Sequence, residues 1–259
     1  MEEIEKAFSD TTKIVLGVEL KNLDDYGEWL SRRVPIPTKG KSAVSGKDVW
    51  IQPSLCFLKQ PFDKDRIIDM GEIGKVNESP FIAEDLKDTD LRNVLKILKP
   101  VVYYCGNLRY KNVNNLEKTS SAGEVVNVYY SEDIWYGSKK VAFSNMVVFS
   151  ESMFGSHNVH YSKFCINTYN SFRISRGLEI DGCTNCSDVF FCHNSENLRD
   201  CILCFNTKSL RYAVGNVEVG KDEYLRISRM LKEHILERLE VNHNFEQDIF
   251  NIACRGISE

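Results

Sequence analysis

The stretch SKKVAFSNMVVFSESMFGSHNVHYSKFCINTYNSFRISRGLEI, residues 138–180, repeats in steps of six. One series runs Ser138, Ser144, Ser150, Ser156, Ser162, Thr168, Ile174 and Ile180, and continues through Cys186, Cys192, Leu198 and Cys204 to Leu210. A second, offset by three, runs from Val141, Val147, Met153, Val159 and Cys165 to Thr207. Every member is small or aliphatic. The position after the first series is mostly polar (Lys139, Asn145, Glu151, His157, Lys163) and is expected to face outward. A period of six is neither the 3.6 of a helix nor a plain two-residue alternation. It fits a coiled chain of short strands meeting at corners, a parallel β-solenoid. Three hexads make a coil of 18 residues. That choice predicts one column of Cys165, Cys183 and Cys201, and another of Thr168, Cys186 and Cys204.

Stacked coils lie about 4.8 Å apart, so equivalent side chains form ladders. Asn158, Asn170, Asn194 and Asn206 are expected to occupy turns or to hydrogen-bond along the stack. Inward hydroxyls must find partners, since a buried one left unmade costs about 1–3 kcal/mol. An ordinary β-sandwich rich in Ser and Cys is the competing fold. The absence of Pro and the length of the phased pattern favour the solenoid.

Outside the repeat the chain changes character. All six prolines fall in the first hundred residues, and six of the nine cysteines lie between Cys165 and Cys204. The polar stretch around Lys118–Ser121 marks a boundary, giving an α/β domain over 1–121, the solenoid over 122–217 and a helix with tail over 218–259. Within the first part, 13–20 (KIVLGVEL) reads as a strand and 23–34 as a helix stopped by Pro35 and Pro37. Residues 48–58 read as extended. Residues 88–98 read as a helix capped by Asp88 or Thr89, and 100–105 as a strand. Residues 221–240 form an amphipathic helix with the stripe Leu225, Met230, Leu231, Ile235 and Leu239. A solenoid exposes strand edges at its ends. The N-terminal part and this helix are its natural caps.

The composition, 259 residues with 42% hydrophobic, 27% charged and a net charge of −4, is that of a globular protein able to bury a core. The mild acidity argues against a dedicated nucleic-acid binder. No run approaches the roughly 20 apolar residues of a membrane span. The acidic N-terminus (Glu2, Glu3, Glu5) lacks the apolar region of a signal peptide. The odd cysteine count in a chain this size then implies reduced thiols in a cytoplasmic setting, the host cytoplasm if the protein is viral.

The segment 186–219, CSDVFFCHNSENLRDCILCFNTKSLRYAVGNVEV, followed by KDEY and a helix, resembles a group of cysteine-rich repeat proteins. These come from metagenomic bacteria, archaea and phages, and their repeats follow S-x-N-L-x-x-C-x-x-C-x-N. The matching pieces are 195–206 (SENLRDCILCFN), 208–216 (KSLRYAVGN) and the helix after Gly220, about a third of the chain. The resemblance implies a solenoid with a helical cap and a role in a particle or other assembly. It implies no activity.

Several sites follow from residue type and spacing. Cys183-x-x-Cys186 and Cys201-x-x-Cys204 have near-ribbon spacing, and four thiolates could hold zinc tetrahedrally. Packing as small hydrophobes in the coil is the competing use. Hexapeptide solenoids also build acyltransferases with a His base, for which His157, His160 and His193 are the candidates. Yet the usual aliphatic-Gly repeat is missing, and a solvated surface is their simpler role. Gly40-Lys41-Ser42 ends like a phosphate loop, but the required glycine five residues earlier is Pro35. The acids Asp63, Asp65 and Asp69, and Asp85, Asp88 and Asp90, suit a solvated face. The aromatics Phe143, Phe149, Phe154, Tyr161, Phe190 and Phe191 must partly lie outside a narrow coil. They pack on neighbouring elements or form a protein-binding surface. The expectation is a non-enzymatic structural or assembly protein that binds protein partners or itself. A left-handed acyltransferase and a zinc-stabilised interaction module are the alternatives. No cofactor other than zinc is implied.

Overall fold

The computed structural model describes residues 1–52, 63–77, 81–87, 89–182 and 186–252. The first part carries α1 (Glu2–Leu16), α2 (Gly27–Ser31), β1 (Thr38–Lys41), β2 (Asp48–Ile51), β3 (Ile67–Asp69), α3 (Leu91–Leu98) and β4 (Tyr104–Gly106). The repeat forms β5 (Leu108–Glu117), β6 (Ser121–Tyr129), β7 (Glu132–Trp135), β8 (Lys139–Ala142), β9 (Asn145–Val148), β10 (Glu151–Phe154) and β11 (His157–His160). It continues through β12 (Lys163–Ile166), β13 (Tyr169–Phe172), β14 (Ser175–Leu178), β15 (Ser187–Phe190), β16 (Arg199–Ile202), β17 (Arg211–Val214) and β18 (Val217–Glu218). Helix α4 (Lys221–Asn242) follows.

The repeat is a parallel β-solenoid of about nine turns over 108–214. One wall stacks β6, β8, β10, β12, β14, β15, β16 and β17. The opposite wall stacks β7, β9, β11 and β13. That second wall continues as the bridges Asp181 to His193 and His193 to Phe205. Glu151 pairs with Lys163 and with Lys139, and His157 with Tyr169 and Asn145. The coil therefore holds 12 residues, two hexads, and not the expected 18.

Backbone geometry explains the shorter coil. Every third residue takes a left-handed φ: Lys140 (56°), Phe143 (50°), Met146 (52°), Phe149 (52°), Ser152 (58°) and so on. Each three-residue side thus ends in a corner, and four corners close a turn. Left-handed corners at non-glycine residues are costly. The parallel ladders and the packed apolar interior offset that cost.

The inward columns correct the cysteine registers. Cys165 and Cys201 do share a column, three coils apart, but Gly177 and Val189 stand between them. Thr168 and Cys204 belong with Ser144, Ser156, Ile180 and Cys192. Cys186 stands in a different column, beneath Leu198. Cys183 lies outside the described residues.

Side-chain oxygen and sulfur atoms satisfy the corner amides. Ser144 Oγ accepts from Ser156 N at 3.1 Å, and Ser150 Oγ from Ser162 N at 3.2 Å. Higher up, Cys186 Sγ accepts from Leu198 N and Cys192 Sγ from Cys204 N, both at 3.3 Å. The protons of Ser144, Ser150, Ser156 and Ser162 return to carbonyls two residues back, as from Ser144 to Ala142 O at 2.8 Å. The expected asparagine stacks form too. Asn158 donates to Asn170 at 3.2 Å and Asn194 to Asn206 at 2.8 Å, and all four are left-handed.

One outward column is buried. Ala142, Phe154, Ile166, Leu178, Phe190 and Ile202 lie under α1, α2, α4 and the residues after it, in one apolar cluster with Ile4, Phe8, Trp29, Leu30, Ile235 and Leu239. The predicted strand over 13–20 is instead the end of α1 and the loop after it. Its β-branched run is overridden by the helical spacing of Ile4, Ala7, Phe8, Thr11, Val15 and Leu16, all buried. Left-handed Gly17 (φ 95°) ends the helix, its N–H reaching Thr12 O and Lys13 O. The predicted 23–34 helix is a 3-10 turn (Leu23–Tyr26) followed by α2, with Leu23, Tyr26, Leu30 and Val34 buried as spaced.

Helix α3 is capped by Asp90, whose carboxylate accepts from Asn93 N at 2.8 Å. Thr89 does not take that role, and Asp88 lies outside the described residues. Of the extended 48–58, β2 is formed, while 53–58 lie outside the described residues. Helix α4 matches the predicted span. Its buried face is Tyr224, Ser228, Ile235 and Leu239, whereas Leu225 and Met230 are exposed. It packs on the flank of β16 and β17, and β18 turns back antiparallel on β17. The coils begin at Leu108, so the polar stretch around Lys118 joins two coils.

Cys105, Cys165, Cys192, Cys201 and Cys204 are free thiols, whereas Cys186 is disulfide-bonded. The expectation of nine reduced thiols therefore fails at Cys186. Among the described residues, no helix is long and apolar enough to cross a membrane.

Candidate functional site

One corner of the coil carries the most distinctive surface. Trp135 pairs with Val148, Val148 with His160, and His160 with Phe172. The residues after these four, Tyr136, Phe149, Tyr161 and Arg173, therefore occupy one column. All are left-handed, with φ between 51° and 57°, so each side chain projects from a corner. The three rings stack along the solenoid axis. Tyr136 and Phe149 have centroids 5.5 Å apart and planes at 19°, and Phe149 and Tyr161 are 5.1 Å apart at 12°. Phe172 closes the row edge-on, 5.5 Å from Tyr161 at 80°. Each of the three residues is about half exposed: 47% for Tyr136, 50% for Phe149 and 53% for Tyr161. Phe172 extends the apolar surface, and Met146 is exposed on the neighbouring corner, three residues before Phe149.

The stacking fixes what the ladder can do. The ring faces are turned to one another, and ring edges meet the solvent. A guest ring between two of them would need a gap of about 7 Å, twice the contact distance of about 3.5 Å. The observed gaps are 5.1 and 5.5 Å. The ladder is therefore a ridge of apolar edges that suits lateral packing.

The predicted aromatics sort into two groups. Phe143, Phe154, Phe190 and Phe191 are buried, and Phe8 packs edge-on against Phe154 at 5.3 Å. Only Phe149 and Tyr161 belong to the ridge. Tyr136 and Phe172 were missed. Stepping by 12 finds Tyr161 from Phe149. It misses Tyr136 because Gly137 adds one residue to its coil, making the spacing 13.

The three candidate histidines are not brought together. His157 and His160 bracket the Asn158 corner on different sides of the coil, and His193 stands three coils further on. His157 is partly buried, which lowers its pKa, and its Nδ1 has no hydrogen-bond partner among the described residues. His160 Nε2 lies 3.3 Å from Asn158 Oδ1. His193 Nδ1 contacts Asp181 Oδ2 at 3.0 Å, and its ring packs on Phe205 and Phe250.

Of the four proposed zinc ligands, Cys201 and Cys204 point into the coil, Cys186 is disulfide-bonded and Cys183 is outside the described residues. Among the described residues, no three His, Cys, Asp or Glu side chains converge as metal donors. Burial pushes the Cys165 thiol up to about 12 and Cys192 well above its usual value, so both stay protonated and inert.

Gly40 and Lys41 belong to β1, and Ser42 Oγ donates to the Glu72 carboxylate, so the phosphate-loop likeness is a hairpin turn. Among the acids, Asp63 and Asp90 cap helical turns, and Asp85 accepts from Ile82 N. Asp69 accepts from Gly71 N and Asn107 Nδ2. A hollow of about 760 Å³ opens beside Asp69, between β2 and the first coil, lined by Trp50, Arg109 and Lys118 among others. The Arg109 guanidinium there is engaged by the carbonyls of Leu108, Thr119 and Ser120.

No protein-family model, curated protein or solved structure matches this chain.

Proposed function

We propose that the chain is a non-enzymatic interaction scaffold, with the Tyr136–Phe149–Tyr161 ridge as its protein-contact surface. The observation that carries this reading is the exposure of three stacked aromatic residues, each about half exposed, on adjacent coils. Large apolar side chains gathered in one exposed row mark contact surfaces, and Tyr and Phe are enriched in the cores of such contacts. The solenoid holds the rings rigidly, so little side-chain freedom is lost on binding. Edges rather than faces are presented, which favours a protein partner over a sugar or a base.

Photo-crosslinking tests the reading. The photoreactive analogue p-benzoylphenylalanine replaces Phe149 in one variant. In a second it replaces Ser209, a left-handed exposed corner five coils beyond. Protein adducts at 149 but not at 209 are expected in the producing cell. Equal yields at both positions, or no adduct at 149, would overturn the proposal.

A further inference from the structure

The aromatic column has charged ends. Gly123 pairs with Trp135, so Glu124 lies one coil before Tyr136 in the same column, again left-handed (φ 58°). Arg173 lies one coil beyond Tyr161. Read along the axis, the column is Lys111, Glu124, Tyr136, Phe149, Tyr161, Arg173: an acid and a base flank the three rings, and Lys111, again left-handed (φ 56°), stands one rung beyond the acid. Phe149 is the midpoint of the five rungs from Glu124 to Arg173.

We infer that this column pairs with the same column of a second copy, antiparallel, about a two-fold axis through Phe149. The inference rests on the ridge being a protein-contact surface. A two-fold contact must be self-complementary. Turning the column end over end sets Phe149 on Phe149, Tyr136 on Tyr161, and Glu124 on Arg173 twice. A parallel pairing in register would oppose like charges. The ridge repeats at the coil spacing, so its match is another array of that period, which a second copy supplies rung for rung.

Both charges reach the surface. Glu124 pairs, among the described residues, with the exposed Lys111 of the preceding rung at 3.2 Å, a weak surface contact that an arginine of a second copy can replace, and the Arg173 guanidinium lies over the exposed Phe172 ring at 5.3 Å. A buried aromatic side chain contributes about 150–250 Å², so each half-exposed residue offers about 100 Å². With Phe172 and the neighbouring Met146 the apolar surface reaches roughly half of the ~800 Å² that each partner gives to a standard interface. An interface below the standard size makes the dimer a weak, concentration-dependent one.

Sedimentation equilibrium of the full chain over a concentration series tests the pairing. The wild type is compared with Glu124→Arg, Arg173→Glu and the double variant, each checked for native circular dichroism. The wild type is expected to dimerise. Either single exchange weakens the dimer by about tenfold or more, and the double exchange restores it to within about threefold. A wild type still monomeric at about 100 μM, single exchanges without effect, or a double variant no better than the singles would overturn the pairing. An adduct of position 149 with a different protein, alongside a monomeric wild type, overturns the pairing and leaves the scaffold reading standing. Absence of any adduct overturns both.

Discussion

The amide of Ser156 donates to Oγ of Ser144, one coil earlier, at 3.1 Å. The same relation ties Ser162 to Ser150 and, in sulfur, Cys204 to Cys192. Inward hydroxyls and thiols thus carry the amides that the corners remove from the ladder. Ser144→Ala leaves the buried Ser156 N–H without its acceptor and is expected to cost about 1–3 kcal/mol. Ser144→Cys should cost less, because Cys192 makes this bond in the same column. Urea midpoints with unchanged m-values measure both. Equal losses for Ala and Cys would contradict the ladder.

Phe149 and Phe154 separate structure from surface. Phe154 is fully buried under Phe8 of α1, and Phe149 is half exposed. Phe154→Ala is expected to cost about 3–5 kcal/mol. Phe149→Ala loses ring stacking and should cost no more than about 1.5 kcal/mol. Chemical denaturation of the two variants side by side decides it, and similar losses would contradict the burial pattern.

Glu179 makes stability depend on pH. It is buried on the flank, where it accepts from Ile249 N at 2.7 Å. Burial first, and then the charge of Asp248, raises its pKa well above the usual value, against the lowering effects of the Ile249 N–H bond, Arg32 and Arg33. A carboxyl whose folded pKa is raised stabilises fully below its unfolded value of about 4.3, and that stability is lost as pH rises toward the folded pKa. Glu179→Gln keeps the acceptor and removes the titration. Between pH 5 and 8 the wild type should lose stability relative to this variant. A pH-independent difference between the two would contradict the assignment.

Gly155 is a corner packed against α2. At φ 66°, a Cβ would meet Asn167 Oδ1 and lie 2.7 Å from Leu30 O. Gly155→Ala is expected to cost more than the roughly 1 kcal/mol of a left-handed alanine, because α2 must shift. A thermal melt within a degree of wild type would show that α2 is not held there.

Much of the fold was legible in the sequence, and the gaps have physical causes. The six-residue period identified the solenoid, its inward series and the asparagine stacks. Coil size was not legible, because 12 and 18 are both multiples of six. Cys165 and Cys201, 36 residues apart, share a column under either choice. Helix α1 was hidden because its β-branched end looks like a strand when read without the helical spacing of Ile4, Phe8 and Thr11. The ridge was half legible: Phe149 and Tyr161 were singled out, but the residue added at Gly137 hid Tyr136. The end charges, Glu124 and Arg173, join the ridge only through the strand register.

The most direct test of the central claim is one variant measured twice. Tyr136→Ser, Phe149→Ser and Tyr161→Ser together remove the ridge and leave the inward columns and the flank intact. The account predicts a folded protein with native circular dichroism that keeps most of its unfolding free energy. It also predicts loss of protein adducts from a photoreactive residue at Met146, on the neighbouring corner. An unfolded variant would show that the rings hold the solenoid together, and undiminished adducts would show that they are not its contact surface. Either result would contradict the account.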